Sequence, residues 1–291
     1  MTQNRQQNQH TLRWQSQGIL LLFLPFAAAW VTLQAGQAWF LGNAVLWQAL
    51  GISLGFAVLV LALRAATPAA ALTGALVAAI LYFRTPGWRT ALWPLLALFL
   101  LTFAATRFRR RRKEILGTGE GKRGRNASQV AANLGVAALA LIPLTAVHVF
   151  SKAQGVERVS LLAMAAVLAE ATADTLSSEL GQVLGGEPRM LTTFRTVPAG
   201  TDGAISLAGT IAGLIGAVIT TLAAAFVLRF TSREVFLILA GGICGLFVDS
   251  LLGATMERRG WLNNDAVNAL STLAAAITAT VLYSVHFPAI R

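Results

Sequence analysis

The sequence is poor in cysteine, histidine and charged residues, and each shortage excludes a class of protein. Cys244 is the only cysteine among 291 residues, which excludes an intrachain disulfide framework and a zinc-thiolate site. Charged residues make up 12% of the chain, against about 25% in an ordinary soluble domain. Hydrophobic residues make up 56% and the mean hydropathy is +0.65, which excludes disorder for all but the ends. We therefore expect an all-α, polytopic integral membrane protein.

The three histidines give no support to histidine chemistry. His10 lies in a polar tail, His148 near the end of an apolar run and His286 near the C-terminus. None shares a helical face with a group of carboxylates, so neither a Ser-His-Asp triad nor a histidine metal site is indicated. The glycines at 117–121 and the lysine that follows lack the spacing of a nucleotide-binding P-loop.

Nine apolar runs are close to the length of about 20 residues that a helix needs to cross a bilayer. They lie at 18–34, 44–63, 68–84, 88–106, 129–150, 159–179, 204–228, 235–256 and 266–285. We interpret residues 1–17 as a polar cytoplasmic tail, with a cleaved leader as the alternative. Residues 18–106 are predicted to form N-terminal transmembrane helices, and 107–291 a catalytic membrane domain. The third run is short, and a re-entrant segment there would change the number of spans.

Lysine and arginine (23) outnumber the acidic residues (12), which in so apolar a chain indicates membrane topology rather than nucleic-acid binding. With the N-terminus in the cytoplasm, 16 of the 23 basic residues fall on the cytoplasmic side and 7 on the other. The basic run at 107–113 is interpreted as an anchor at the lipid headgroups, with capture of an anionic substrate as the alternative. We expect the protein in the inner (plasma) membrane of a bacterium.

Placing a carboxylate within a membrane span costs free energy. Carboxylates occur in only two of the nine apolar runs. The sixth run holds Glu170 and Asp174, with Glu179 at its end, and the eighth holds Asp249. Because successive runs cross the membrane in opposite directions, five acidic residues are predicted to reach the cytoplasmic face. These are Asp174, Glu179, Asp202, Asp249 and Asp265.

Basic and amide side chains are predicted on the same face. Lys122, Arg123 and Arg125 precede the fifth run, and Gln129 and Asn133 follow four residues apart. Carboxylates suit Mg²⁺, which shares its ligation with substrate phosphates, and the arginine fork binds phosphate. The pattern therefore predicts a polyanionic substrate held with Mg²⁺. The alternative is a set of buried ion pairs that clamp the helices together.

Two glycine patterns accompany these residues. The turn-rich loop at 198–203 directly precedes an apolar run, and such a loop can direct backbone N–H groups at phosphate. The pairs Gly209-x-x-x-Gly213 and Gly241-x-x-x-Gly245 are typical of closely packed membrane helices. The second pair is expected to bring the helix of Asp249 close to its neighbours.

Five segments in order resemble the domain-of-unknown-function 92 family, which includes transmembrane protein 19 and the chloroplast phytyl-phosphate kinase of tocopherol synthesis. The matching segments are 124–133, 173–181, 197–206, 249–254 and 264–268, within about 107–291. The chain departs from the family pattern in having Leu176-Ser177 for Trp-Ala, Asp202 for Asn and Glu257 for Gln.

The resemblance implies transfer of the γ-phosphoryl group of a nucleoside triphosphate, CTP or ATP, to an isoprenyl monophosphate to give the diphosphate. Residues expected to be catalytic are Asp174, Asp249 and Arg195. Expected Mg²⁺ ligands are Asp174, Glu179, Asp249 and Asp265. Expected phosphate- and substrate-binding residues are Lys122, Arg123, Arg125, Asn133, Gly200, Thr201, Asp202, Gly203, Ser206, Asn264 and Asn268.

Two other functions stay open at this point. One is another lipid phospho- or cytidylyltransferase, such as a kinase of the free prenol, which would use a similar metal cluster. The other is a transporter of an anionic lipid, which favours a site at mid-membrane and inverted repeats. The expected partners are the nucleotide, the prenyl phosphate and the bilayer, without nucleic acid and with self-association open.

Overall fold

The computed structural model describes residues 12–117, 124–142 and 154–286, and they are mostly helical. The helices are α1 (Arg13–Phe40), α2 (Val45–Ala62), α3 (Pro68–Arg84), α4 (Leu92–Arg107), α5 (Arg110–Leu116), α6 (Ala127–Leu141), α7 (Gln154–Leu184), α8 (Leu207–Leu228), α9 (Ser232–Leu252) and α10 (Asn264–His286). A hairpin of β1 (Arg189–Met190) and β2 (Ala204–Ile205) precedes α8, and a π-helical turn, Gly253–Glu257, follows α9. The predicted all-α class is confirmed.

Each of the nine predicted apolar runs contains or overlaps one described helix, with residues 143–150 of the fifth run outside the described part of the chain. Nine spans are not confirmed. Among the described residues, six helices are long and apolar enough to cross a membrane: α1, α2, α7, α8, α9 and α10. The pair α4 and α5, bent by 62°, brings the number to seven. Helices α3 and α6 have 17 and 15 residues, or about 26 and 22 Å of helix, short of a hydrocarbon core about 30 Å thick. The number of spans therefore stays a prediction beyond these six or seven.

Local sequence explains where several helices begin. Pro68 follows the capping residue Thr67, whose side chain accepts a hydrogen bond from the backbone N–H of Ala70. Asn126 and Gln129 form a capping box at the start of α6, so two backbone N–H groups are satisfied reciprocally. The same arrangement starts α9, and a serine cap starts α8. These caps fix helix starts beside the irregular loops where polar residues collect.

Helix α7 lies at the centre of the molecule and packs against α4, α6, α8, α9 and α10. Small residues let the neighbours approach. A Cβ on Gly213 would lie 2.8 Å from the carbonyl oxygen of Ala173, and one on Gly241 would lie 2.7 Å from that of Ala275. The interpretation of both glycine pairs as packing faces is thus confirmed. Residues of α1, α3 and α4 share a hydrophobic core with α6 and α7, so the N-terminal helices do not pack as a separate unit.

Several helix ends meet at one end of the bundle. The Gln15 side chain donates a hydrogen bond to the carbonyl of Trp261 at 2.8 Å, which joins the start of α1 to the loop before α10. Ala66 and Arg125 form a parallel bridge between the loops that precede α3 and α6. The end of α7 is tied to α5 by an ion pair between Lys113 and Glu179. This end carries the polar site.

Candidate functional site

A polar cavity of about 350 Å³ lies where α6, α7, the hairpin, α9 and α10 converge. Twelve of the sixteen predicted site residues line it. They are Arg125, Asn133, Asp174, Glu179, Gly200, Thr201, Asp202, Gly203, Ser206, Asp249, Asn264 and Asn268. Residues from five separated segments of the chain therefore meet in one cavity, which we call the polar pocket.

Two carboxylates from different helices meet in the polar pocket. Asp174 on α7 and Asp249 on α9 both line it and lie close enough for their charges to interact. The Oδ2 atom of Asp249 is buried and has no hydrogen-bond partner among the described residues. A buried, unpaired carboxylate oxygen is costly unless a ligand satisfies it. The two carboxylates could therefore hold a cation.

Arg125 brings a positive charge close to Asp174. Its guanidinium donates a hydrogen bond from Nη2 to Thr175 Oγ1 at 3.2 Å, and its charge acts on Asp174. The backbone around Arg125 is fixed as well, because its N–H donates to the Ala65 carbonyl at 3.0 Å and its carbonyl accepts from Thr67 at 3.0 Å. Arg125 thus reaches the polar pocket from a rigid loop.

Glu179 lines the polar pocket but is already engaged. Its Oε2 pairs with the ammonium group of Lys113, and its Oε1 accepts a hydrogen bond from Thr106 at 3.4 Å. Lys113 is 1% exposed and belongs to the basic run that was interpreted as a headgroup anchor. The run is therefore more than an anchor, since one of its residues contacts a pocket carboxylate.

The hairpin covers one side of the polar pocket with the loop from Gly200 to Gly203. Gly203 has a φ of +72° and packs against the π-helical turn so closely that a Cβ would collide with the backbone of Ala254. Only glycine satisfies both requirements. Ser206 then caps α8 by accepting a hydrogen bond from Gly209 N at 3.1 Å, so the positive end of the α8 dipole lies beside the pocket. We call residues 185–206 the flap.

Two predicted site residues lie outside the pocket lining. Asp265, predicted to bind Mg²⁺, is 8% exposed and accepts hydrogen bonds from Ser16 at 2.7 Å and from Ser128 at 2.5 Å. The Oδ2 atom of Asp265 thus links the starts of α1, α6 and α10, which lie side by side at this end of the bundle. Arg195, predicted to be catalytic, is exposed in the tip of the flap, where its carbonyl accepts from Met190 N at 2.9 Å. Lys122 and Arg123 lie outside the described residues.

Several pocket residues were absent from the predicted set. Ser177, Ser178 and Gln182 follow Asp174 within about two turns of α7, and helical periodicity from Asp174 could have indicated them. Glu257 enters through the π-helical turn, which no sequence pattern announces. The remaining polar additions are Gln129, Thr175 and Ser250.

The carboxylates of the polar pocket fit a Mg²⁺ ion that takes its other ligands from substrate phosphates and water. They do not fit a metal ion bound by protein side chains alone. In the part of the chain that the structure describes, no three His, Cys, Asp or Glu side chains are grouped closely enough to hold a metal ion. Mg²⁺ commonly uses one or two carboxylates and completes its shell with water and substrate phosphates. Asp174 and Asp249, with the unsatisfied Oδ2 atom, meet that requirement.

Known proteins similar to this chain include two membrane proteins and a chloroplast protein. An uncharacterized membrane protein of Synechocystis is 34% identical over 236 residues, which cover 75% of this chain and 85% of the relative. The chloroplastic protein VTE6 of Arabidopsis thaliana is 30% identical over 64% of this chain and 56% of its own length. An uncharacterized membrane protein of Methanocaldococcus jannaschii is 43% identical over 43% of this chain and 52% of its own length.

The alignments cover only about half the length of the Methanocaldococcus and Arabidopsis relatives. No solved structure matches the chain. A family model, described as integral membrane protein DUF92, matches residues 51–276 and so begins inside α2, well before the segments that carried the resemblance. Since that match covers most of the chain, the protein belongs to the DUF92 family of integral membrane proteins.

Proposed function

We propose that the protein transfers the γ-phosphoryl group of a nucleoside triphosphate to an isoprenyl monophosphate. The observation that carries the proposal is the meeting of Asp174 and Asp249 with Arg125 in one polar pocket. Carboxylates for a metal beside an arginine for phosphate are what a transfer between two phosphates requires. The similarity to VTE6 and the resemblance to phytyl-phosphate kinase support the isoprenyl monophosphate as the acceptor.

The residues of the pocket divide between the two substrates. Asp174 and Asp249 would hold Mg²⁺, which when bound supplies neutralising charge to the triphosphate. The loop from Gly200 to Gly203 and the N-terminus of α8 would receive the nucleotide phosphates, because backbone N–H groups and the helix dipole favour anions. Arg125 would hold the acceptor phosphate with two parallel hydrogen bonds.

This division requires little other chemistry from the protein. The acceptor phosphate is itself the nucleophile and is ionised at neutral pH, so no strong general base is needed. Phosphoryl transfer depends mainly on positioning and on stabilising the charge of the transition state. The flap serves this purpose by enclosing the phosphates, since exclusion of water strengthens charge interactions and prevents hydrolysis of the nucleotide.

The test is product analysis with the purified full chain in lipid nanodiscs. CTP or ATP labelled at the γ-phosphate is offered with phytyl monophosphate, geranylgeranyl monophosphate or the free alcohols, and Asp249→Asn serves as the inactive control. We expect label in the lipid diphosphate. Release of pyrophosphate with label absent from the lipid would assign a cytidylyltransferase, and labelling of the free alcohol alone would assign a prenol kinase. Absence of transfer with every acceptor would overturn the proposal.

A further inference from the structure

A second cavity, of about 120 Å³, lies next to the polar pocket and has an apolar interior. It is lined by residues of α2, α3, α4, α6 and α7. Its apolar wall includes Phe56, Leu95, Leu98, Phe99, Phe103 and Leu134. The lining residues on α4 extend from Leu95 to Arg107, which corresponds to about 18 Å along the helix axis. The lining therefore extends along most of α4, and we call the cavity the apolar channel.

One end of the apolar channel is basic. Arg64, Arg107, Arg110, Lys113 and Arg125 line that end. The Arg107 guanidinium lies 4.3 Å from the centre of the Phe103 ring and donates to the carbonyl of Leu63 at 2.5 Å, so it stands where the apolar wall begins. An apolar cavity with a cationic end matches a molecule that has one hydrocarbon chain and one anionic group.

The apolar channel and the polar pocket share two lining residues, Arg125 and Asn133. Gly124 holds Arg125 in place, because it has a φ of +70° and a Cβ there would lie 2.5 Å from the carbonyl carbon of Ala65. A phosphate bound at Arg125 therefore has the apolar channel on one side and Asp174 on the other. This continuity determines where each part of a lipid phosphate would lie.

We propose that the apolar channel holds the isoprenyl chain of the acceptor, with its phosphate at Arg125 facing Asp174. The inference rests on the proposed function and assigns a binding site to helices α2, α3 and α4. In a bilayer the chain gains little from leaving lipid, because lipid tails are as apolar as the channel wall. The channel therefore acts by fixing the phosphate in line with the transferring group and by admitting a single chain.

The test compares two tryptophan substitutions on the same helix. Leu98→Trp fills the channel, because Leu98 lines it and is 6% exposed. Leu100→Trp is the matched control, because Leu100 is 52% exposed on the outer surface of α4. The full chain in nanodiscs is photolabelled, without nucleotide, by geranylgeranyl monophosphate that carries a diazirine at the far end of its chain. Mass spectrometry then locates the label, and dimethylallyl monophosphate serves as a short acceptor in transfer assays.

We expect label on channel residues such as Phe56 and Phe99 of the unsubstituted protein. Labelling and transfer with the long acceptor should fall at least about tenfold in Leu98→Trp and stay unchanged in Leu100→Trp, whereas transfer to the short acceptor should fall much less in Leu98→Trp than transfer to the long one. Label spread over the outer surface, or equal effects of the two substitutions, would overturn the channel even if transfer occurs. Channel labelling without any transfer would instead overturn the proposed function. If Leu98→Trp does not fold, the position of the label in the unsubstituted protein tests the channel by itself.

Discussion

The Arg125 guanidinium donates a hydrogen bond to Thr175 Oγ1 at 3.2 Å, one residue beyond Asp174. This contact ties the loop before α6 to the central helix at the level of the pocket carboxylates. Since Arg125 also belongs to the bridge with Ala66, its position is set by the fold before any ligand binds. An arginine fixed in this way would meet the phosphate proposed to bind it without moving, which is the condition under which charge stabilisation is most effective.

Asp174→Asn and Asp249→Asn should each abolish turnover while the protein stays folded. Each change removes a negative charge from the place where Mg²⁺ is proposed to bind, but it preserves size and most hydrogen bonds. Turnover is measured at increasing Mg²⁺, and folding by size-exclusion chromatography and thermal melting. Glu114→Gln, at an exposed ion pair with Arg110, is the control. Near-normal turnover of either variant at saturating Mg²⁺ would show that the residue is not a ligand.

Arg125→Lys should lower kcat/KM by roughly tenfold to a hundredfold. Lysine keeps the charge but loses the fork, and a charged hydrogen bond is worth about 1.5–3 kcal/mol. Arg195→Lys should cost much less, because Arg195 does not line the polar pocket. Neutralising two of Arg109, Arg111 and Arg112, which are exposed and do not line the apolar channel, should likewise cost only a few-fold, because salt screens such charges over about 8–10 Å. Steady-state kinetics at two salt concentrations measures the loss of kcat/KM in each variant. A greater loss from the arginine run than from Arg125→Lys would place the phosphate site at that run.

Asp265→Asn should reduce stability and leave the Mg²⁺ dependence of turnover unchanged. The carboxylate accepts from Ser16 and Ser128, so its loss should cost about 2–3 kcal/mol of unfolding free energy. Thermal melting measures the stability, and a Mg²⁺ titration of turnover measures the metal requirement. A large rise in the Mg²⁺ concentration for half-maximal turnover would restore Asp265 as a ligand.

Gly203→Ala should lower kcat/KM at least about tenfold by displacing the flap. The left-handed backbone costs a residue with a Cβ about 1–2 kcal/mol, and the methyl group would also collide with Ala254. Gly186→Ala is the matched control, because Gly186 is also in the flap with a φ of +64° but has nothing within 4 Å of its Cβ position. Equal kinetics of the two variants would show that the contact between flap and π-helical turn is unimportant for activity.

Cysteine labelling in sealed vesicles should place the loops at 107–128, 181–203 and 257–265 on the same, cytoplasmic, side. The positive charge bias predicts that side, and the pocket requires these loops to lie together. Single cysteines are introduced in a Cys244→Ser background and treated with a membrane-impermeant thiol reagent. A cysteine at Arg229, where α8 ends, is the control for the opposite side. Any two of the three loops on different sides would be incompatible with the polar pocket.

The amino-acid sequence by itself determined the class of protein and the depth of its polar residues. Apolar runs of this length are stable only as helices in lipid, and a carboxylate such as Asp174 or Asp249 is tolerated there only beside a polar cavity. Because successive helices cross in opposite directions, position along each run also predicted which residues share one end of the bundle. The five ordered segments then indicated the family that the comparisons show.

Only the tertiary structure decided which of those residues face one another. Distance along a helix sets depth, but the rotation of each helix and the choice of its neighbours follow from packing, which a single sequence does not reveal. Asp265 therefore turned towards Ser16 and Ser128, while Glu257 entered the polar pocket through a π-helical turn. The apolar channel likewise exists because α2, α3 and α4 pack beside α6 and α7, since no run in the sequence marks the space between helices.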